Sequence, residues 1–152
     1  MNVIIDTRTG QTGDYAAWMQ VFADLWRGGR SRLSDFMSVM SPDVKLSAPG
    51  LRSTVGWVEG ERAFMRTFDV MPDLTAEVLR WSASGDVLFI EMKFSATIGG
   101  KRIQWPNVDR FVFRNGMAVE RVAFFNPLKV RKAFLANPAG WMQLWRRIRN
   151  GL

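Results

Sequence analysis

From Gly13 to Trp26 the chain places Trp18, Val21, Phe22, Leu25 and Trp26 at the i, i+3, i+4, i+7, i+8 spacing of one helix face. Asp14 stands where an N-cap would, and Gly28-Gly29 stops the run. RSRLSDFMSVM reads as a second short helix before Ser41-Pro42, and VKLSA as a strand ahead of the Pro49-Gly50 turn. VEGERAFMRTF returns to helical spacing through Val58, Ala63, Phe64 and Phe68. After Pro72 the period drops to two. LTAEVLRWSA, VLFIEMKFSATI, KRIQWPNVDRFVF and MAVERVAFFN alternate as strands, separated by Gly85-Asp86, Gly99-Gly100 and Asn115-Gly116. Asn-Gly between such runs is a strong hairpin signal, so an antiparallel meander is predicted. The segment PLKVRKAFLANPAGWMQLWRRIRN reads as two short helices broken around Pro138, and residues 1–12 as a loose arm. The expectation is one α+β domain over residues 1–152, with a cone-shaped, curved antiparallel sheet packed against N-terminal helices. The open end of such a cone can admit a ligand.

Composition narrows the chemistry more than the fold. With 152 residues, 47% hydrophobic and 23% charged, the chain can bury a real core. It has no apolar run near the ~20 residues of a membrane span, no signal-peptide pattern at Met1 and no cysteine. A cytoplasmic location is the expectation. His 0 and Cys 0 exclude histidine triads, thiol nucleophiles and the usual zinc and haem ligand sets. No nucleotide-binding signature is present. No metal or cofactor is therefore expected, and proton chemistry near neutral pH falls to Asp, Glu, Lys or Tyr15, which is read as lying at a rim.

The net charge of +7 is unevenly placed. Residues 127–152 carry six basic side chains and no acid, leaving 15 basic and 14 acidic residues elsewhere. A basic tail is a weaker nucleic-acid signal than a basic face, so neither nucleic acid nor a membrane is the expected partner. In the tail, Trp141, Leu144, Trp145 and Ile148 share a helical stripe, expected to dock on the chain's own sheet or on a second subunit.

One stretch stands out. In NVDRFVF, strand alternation puts Asn107, Asp109, Phe111 and Phe113 on one face, with Trp105 in the same parity. An ionisable acid on a phenylalanine face is either a structural group, satisfied by backbone or by an arginine such as Arg121, or an acid facing a pocket. Asn107 and Asn126 would hydrogen-bond a ligand rather than react with it. Trp105, Phe111, Met92 and Phe94, with Phe22 and Trp26 of the first helix, would form the apolar walls. Glu91 and Lys93, of opposite parity to Met92 and Phe94, should face solvent or a partner subunit.

The order of elements, together with MPDLTAEVLRW, GDVLFIEMKFSATIGGK and VDRFVFRNGMAVERVAFFNP, resembles the SnoaL-like branch of the nuclear transport factor 2-like superfamily. That superfamily includes ketosteroid isomerases, limonene epoxide hydrolases, polyketide cyclases and non-catalytic members. The resemblance to ketosteroid isomerase implies that Asp109 is a protonated acid donating to an oxyanion. That family's tyrosine falls at Phe22 and its general-base aspartate at Ala48. The epoxide hydrolase charges fall at Met92, Phe94 and Asn126. Neither residue set is complete here. The resemblance implies a small-molecule pocket protein, an isomerase, cyclase or lyase acting on an apolar polycyclic or carbonyl compound with Asp109 as proton donor. The alternative is a non-catalytic ligand-binding or interaction domain. A homodimer formed through the outer sheet face, where Val108 and Val112 lie, is also expected.

Overall fold

The computed structural model describes residues 12–136 and 138–149; most of the anticipated N-terminal arm lies outside them. Helix α1 (Thr12–Gly28) buries Met19, Phe22, Leu25 and Trp26. It begins before Asp14, which therefore sits inside the helix rather than capping it. Val21, expected on the apolar face, is exposed, and Tyr15 is buried rather than at a rim. The Tyr15 hydroxyl donates to the Gly85 carbonyl at 2.9 Å, which explains the inward turn. Gly29, at φ +57°, ends α1; its position only 2.8 Å from the Leu74 carbonyl, measured from where a Cβ would be, leaves no room for a side chain.

A short 3₁₀ turn and α2 (Leu33–Ser38) lead into β1 (Met40–Ser47), a longer strand than the VKLSA signal implied. Then come β2 (Thr54–Val55), α3 (Trp57–Val70), β3 (Thr75–Ser84), β4 (Val87–Ile98), β5 (Lys101–Arg114), β6 (Met117–Phe124), α4 (Pro127–Leu135) and α5 (Pro138–Arg149). In α3, Phe68 is buried and Val58 is exposed.

The sheet has six strands in the order β2-β1-β6-β5-β4-β3. The meander β3–β6 is antiparallel, as its turns predicted. Asn115 at φ 51° followed by Gly116 at φ 76° forms the tight β5–β6 turn. The sheet as a whole is mixed, not antiparallel, because β1 lies parallel to β6. Parallel pairing needs a long connection, and everything from β2 to β5 supplies it. Register shifts in β1, within the β3–β4 pair and within the β5–β6 pair are the irregularities that bend a sheet around a core. Inside the curve, Phe22, Phe111, Leu88, Ile90 and Met92 are fully enclosed.

Candidate ligand cavity

The inner face of β5 runs Phe113, Phe111, Asp109, Asn107, Trp105, and its first two rings are capped by α1. Phe22 meets Phe111 edge-on at 5.4 Å, and Trp18 packs on both Phe111 and Phe113. Toward the Trp105 end the α1 stripe runs out at Trp26, which touches Phe94. A cavity of about 410 Å³ opens there, walled by Phe94, Trp105, Asn107, Arg121 and Ala123 of the sheet. Trp26, Phe64 and Val70 close it from α1 and α3, and the 48–51 loop and α4 (Val130, Arg131, Phe134, Leu135) form the remaining sides.

Phe94 stacks on Trp105 at 5.7 Å and 12°, giving the cavity a flat aromatic wall. Trp26 meets Phe94 edge-on at 4.8 Å. The polar groups on this lining come from Asn107, Arg121, Thr67 and Arg131. Thr67 spends its hydroxyl on the Ala63 carbonyl at 3.1 Å. No carboxylate lines the cavity among the described residues.

Asp109 sits one step behind this wall. Its carboxylate has no exposure and accepts two hydrogen bonds, from Arg121 Nε to Oδ2 at 2.7 Å and from Asn107 Nδ2 to Oδ1 at 2.8 Å. This is the structural alternative foreseen for Asp109, an ion pair with Arg121. Arg121 and Asn107 line the cavity and Asp109 does not; its carboxylate holds both side chains by hydrogen bonds. The Arg121 guanidinium lies 5.8 Å from the Trp26 ring and 5.5 Å from the Phe64 ring, within cation–π range of both. Among the described residues its terminal nitrogens make no hydrogen bond. The Trp26 indole N–H is also buried without a partner.

Of the residues singled out in the sequence, Trp26, Phe94, Trp105 and Asn107 line the cavity. Phe22, Met92 and Phe111 do not; all three are fully buried, with Phe22 of the α1 stripe packed against Phe111 of the sheet. Asn126 is corrected too. It is exposed, and its Oδ1 accepts from the Leu128 N–H at 3.0 Å as the N-cap of α4. The Asn-Pro pair carries that signal, since proline is favoured at the first helical position. Ala48, at the place of the ketosteroid isomerase base, lines the cavity with no group to offer. Tyr15 lies outside the lining; burial, and next the Asp86 charge, push its phenol above the ordinary value.

Sequence reasoning missed Phe64, Arg131, Phe134 and the 48–51 loop as walls, and treated Arg121 only as a partner for Asp109. The inward parity of Arg121 with Ala123, between Glu120 and Val122, was the available signal.

A curved mixed sheet wrapped on helices, with an apolar cavity at one end, defines a pocket-bearing α+β protein. The SnoaL-like domain profile matches residues 16–121, and the chain belongs to the SnoaL-like domain family. No curated protein matches the chain in sequence. Among solved structures it is similar to a candidate SnoaL-like polyketide cyclase from Jannaschia sp. CCS1, at 17% identity and TM-score 0.76, covering 88% of this chain and 100% of that one. It is similar to TerC, crystallised with polyporic acid, at 17% identity and TM-score 0.67, covering 79% and 97%. It is also similar to an LEH-like epoxide hydrolase from M. tuberculosis, at 15% identity and TM-score 0.66, covering 87% and 95%. At these identities the likeness is one of fold.

Proposed function

We propose that the protein takes a flat, apolar ring compound into the cavity beside Trp105 and docks one of its oxygens on Arg121. The observation that carries this reading is a guanidinium whose terminal nitrogens make no hydrogen bond among the described residues, set in a largely apolar, aromatic chamber. In such a low-dielectric setting a charge-assisted hydrogen bond to a carbonyl, enolate or carboxylate is worth far more than in water. Asp109 fixes the Arg121 fork, and Asn107, having given its N–H to Asp109, keeps its carbonyl oxygen for a ligand hydroxyl. The fold neighbour crystallised with polyporic acid is in keeping with an acidic ligand. In the catalytic form of the proposal, an isomerase, cyclase or lyase, Arg121 stabilises the oxyanion of an enolate. A second reading, a non-catalytic binder, is favoured by one observation: no carboxylate among the described lining residues could receive the α-proton.

The test is titration of the chain with a hydroxylated anthraquinone, followed by ring-current shifts of the Trp105 indole. Removing both members of the pair, Asp109→Leu with Arg121→Met, strands no charge and should weaken binding on the order of 10–100-fold. Unchanged affinity would remove Arg121 from the site. With an enolisable cyclic ketone as the ligand, solvent deuterium entering α to its carbonyl would separate the catalyst from the binder.

A homodimer through the outer sheet face belongs to the same proposal. Phe89 and Phe124 are exposed there, and Val108 pairs with Phe124 across β5–β6. A sedimenting monomer at micromolar concentration would remove it.

A further inference from the structure

The Trp141–Trp145 stripe, expected to dock on the chain's own sheet or on a second subunit, does not pack on the sheet: α5 docks through Gly140 and Gln143 and turns both tryptophans out. Gln143 donates from Nε2 to the Val70 carbonyl at 3.1 Å and accepts from the Gly99 N–H at 2.7 Å. Gly140 is buried where any Cβ would strike the Phe134 carbonyl. Trp141, Met142 and Trp145 are 54%, 60% and 67% exposed, at positions that share one helical side with exposed Arg149. The Leu144 and Ile148 side chains lie outside the described residues.

This face continues onto α4. The Trp141 indole donates to the Leu135 carbonyl at 3.1 Å, which sets its ring beside Leu135, and Leu135 and Leu128 are both more than half exposed. Lys129, Arg131 and Lys132 stand exposed on the same helix. None of these four cations forms an ion pair among the described residues, and residues 127–152 contain no acid to form one.

We propose that the α4–α5 face is a docking surface for an anionic lipid membrane, on which the protein lies without spanning it. Exposed tryptophan, methionine and leucine among unpaired cations match a surface that is apolar below and negative at its boundary. Two copies of this chain meeting through a two-fold axis would set the same cations against each other, which disfavours self-association here. Nucleic acid would use the cations and tryptophans but leave Leu128, Leu135 and Met142 without a role. The cavity adds a reason of its own. Leu51 and Leu135 both line it and are exposed, so its mouth lies at the edge of this face. An apolar ligand could then pass between bilayer and cavity without crossing water, although the docking stands independently of any ligand.

The test is co-sedimentation of the full chain with phosphatidylcholine vesicles, with and without phosphatidylglycerol. The expected result is binding to the anionic vesicles at low salt and release at high salt. Trp145→Ser removes an exposed ring that makes no hydrogen bond among the described residues, so it should weaken binding and leave the melting temperature unchanged. Lys129→Gln with Lys132→Gln should weaken it on the order of thirtyfold. Absence of pelleting, equal pelleting with neutral vesicles, or pelleting indifferent to Trp145→Ser would each overturn the proposal. So would a concentration-dependent dimer abolished by Trp145→Ser, or salt-sensitive oligonucleotide binding in place of vesicle binding.

Discussion

Four rungs of the β4–β5 ladder face inward: Leu88 with Phe111, Ile90 with Asp109, Met92 with Asn107, and Phe94 with Trp105. The first is roofed by the ring cluster of α1, and the last looks into an open cavity. Both ends are made of the same residue types on the same two strands. The difference lies in what comes down onto them. α1 stops at Gly28, so its stripe covers the Phe111 end and runs out at Trp26. Beyond that point the walls come from α3, the 48–51 loop and α4, which meet at their edges and leave space between them. The polar trio Asp109, Asn107 and Arg121 sits at the boundary. An aromatic strand face is thus core or pocket according to its cover, not its composition.

The comparison can be broken at the filled end first. Phe111→Ala should leave a cavity that its neighbours only partly close, costing about 3–5 kcal/mol in chemical denaturation. Trp105→Ala should cost roughly half that, because part of its surface already faces empty space, and should reduce ligand affinity as well. Equal losses at the two ends would mean the open end is no less tightly packed.

The boundary comes next. Asp109→Asn removes the charge opposite Arg121 within the buried pair, and about 3 kcal/mol should be lost, the low end for a broken buried pair because the amide oxygen can still accept from Arg121 Nε. A melting curve that does not move would show the pair to be idle. Between the same two strands on the outer face, Arg110 and Glu120 form a half-exposed pair. Glu120→Gln should cost under about 1 kcal/mol, since water screens that site. The contrast isolates burial from charge.

The smallest effect is in acid. Asp73, after α3, accepts from the Thr97 N–H at 2.9 Å and the Thr97 hydroxyl at 2.7 Å, pinning the chain to the cavity end of β4. Burial pushes its carboxyl up, but the Thr97 donors and nearby Arg102 outweigh that and hold it below its ordinary value of 3.8. A depressed carboxylate stabilises the fold above its unfolded pKa and gives that stability up as pH falls through the lower folded value. The melting temperature should therefore fall as pH drops below about 4, and Asp73→Asn should flatten that slope. A slope unaltered by Asp73→Asn would assign the acid response elsewhere.

Local order was legible in the sequence wherever one segment carries its own signal. The α1 stripe, the four meander strands and the Asn115-Gly116 hairpin all announce themselves by period or turn chemistry. The β1–β6 pairing did not, because the partners lie far apart in sequence and no local pattern encodes parallel contact. The site divided in the same way. Asn107, Trp105 and Phe94 were readable from strand parity, while Arg131, Phe134 and the 48–51 loop reach the cavity only through tertiary placement. Strand parity could place Asp109 on the inner face, but not decide whether Arg121 or a ligand would occupy its oxygens.

Gly60 gives the cavity a dimension. It is buried in α3, and a Cβ there would stand 2.8 Å from Leu46 Cδ1 and 2.9 Å from the Met37 methyl, so the absent side chain lets α3 settle directly on β1. The same helix carries Phe64, Thr67 and Val70, one jaw of the slot that faces Trp105. Under the function proposed above, the close seat that Gly60 allows α3 would bear on how thick a ring system the slot accepts. Gly60→Ala should lift that jaw and move size preference toward bulkier ligands, as a graded series of ring compounds would reveal; an unmoved preference would put the gauge elsewhere. On this account selectivity for ligand thickness is written in a residue that no ligand touches.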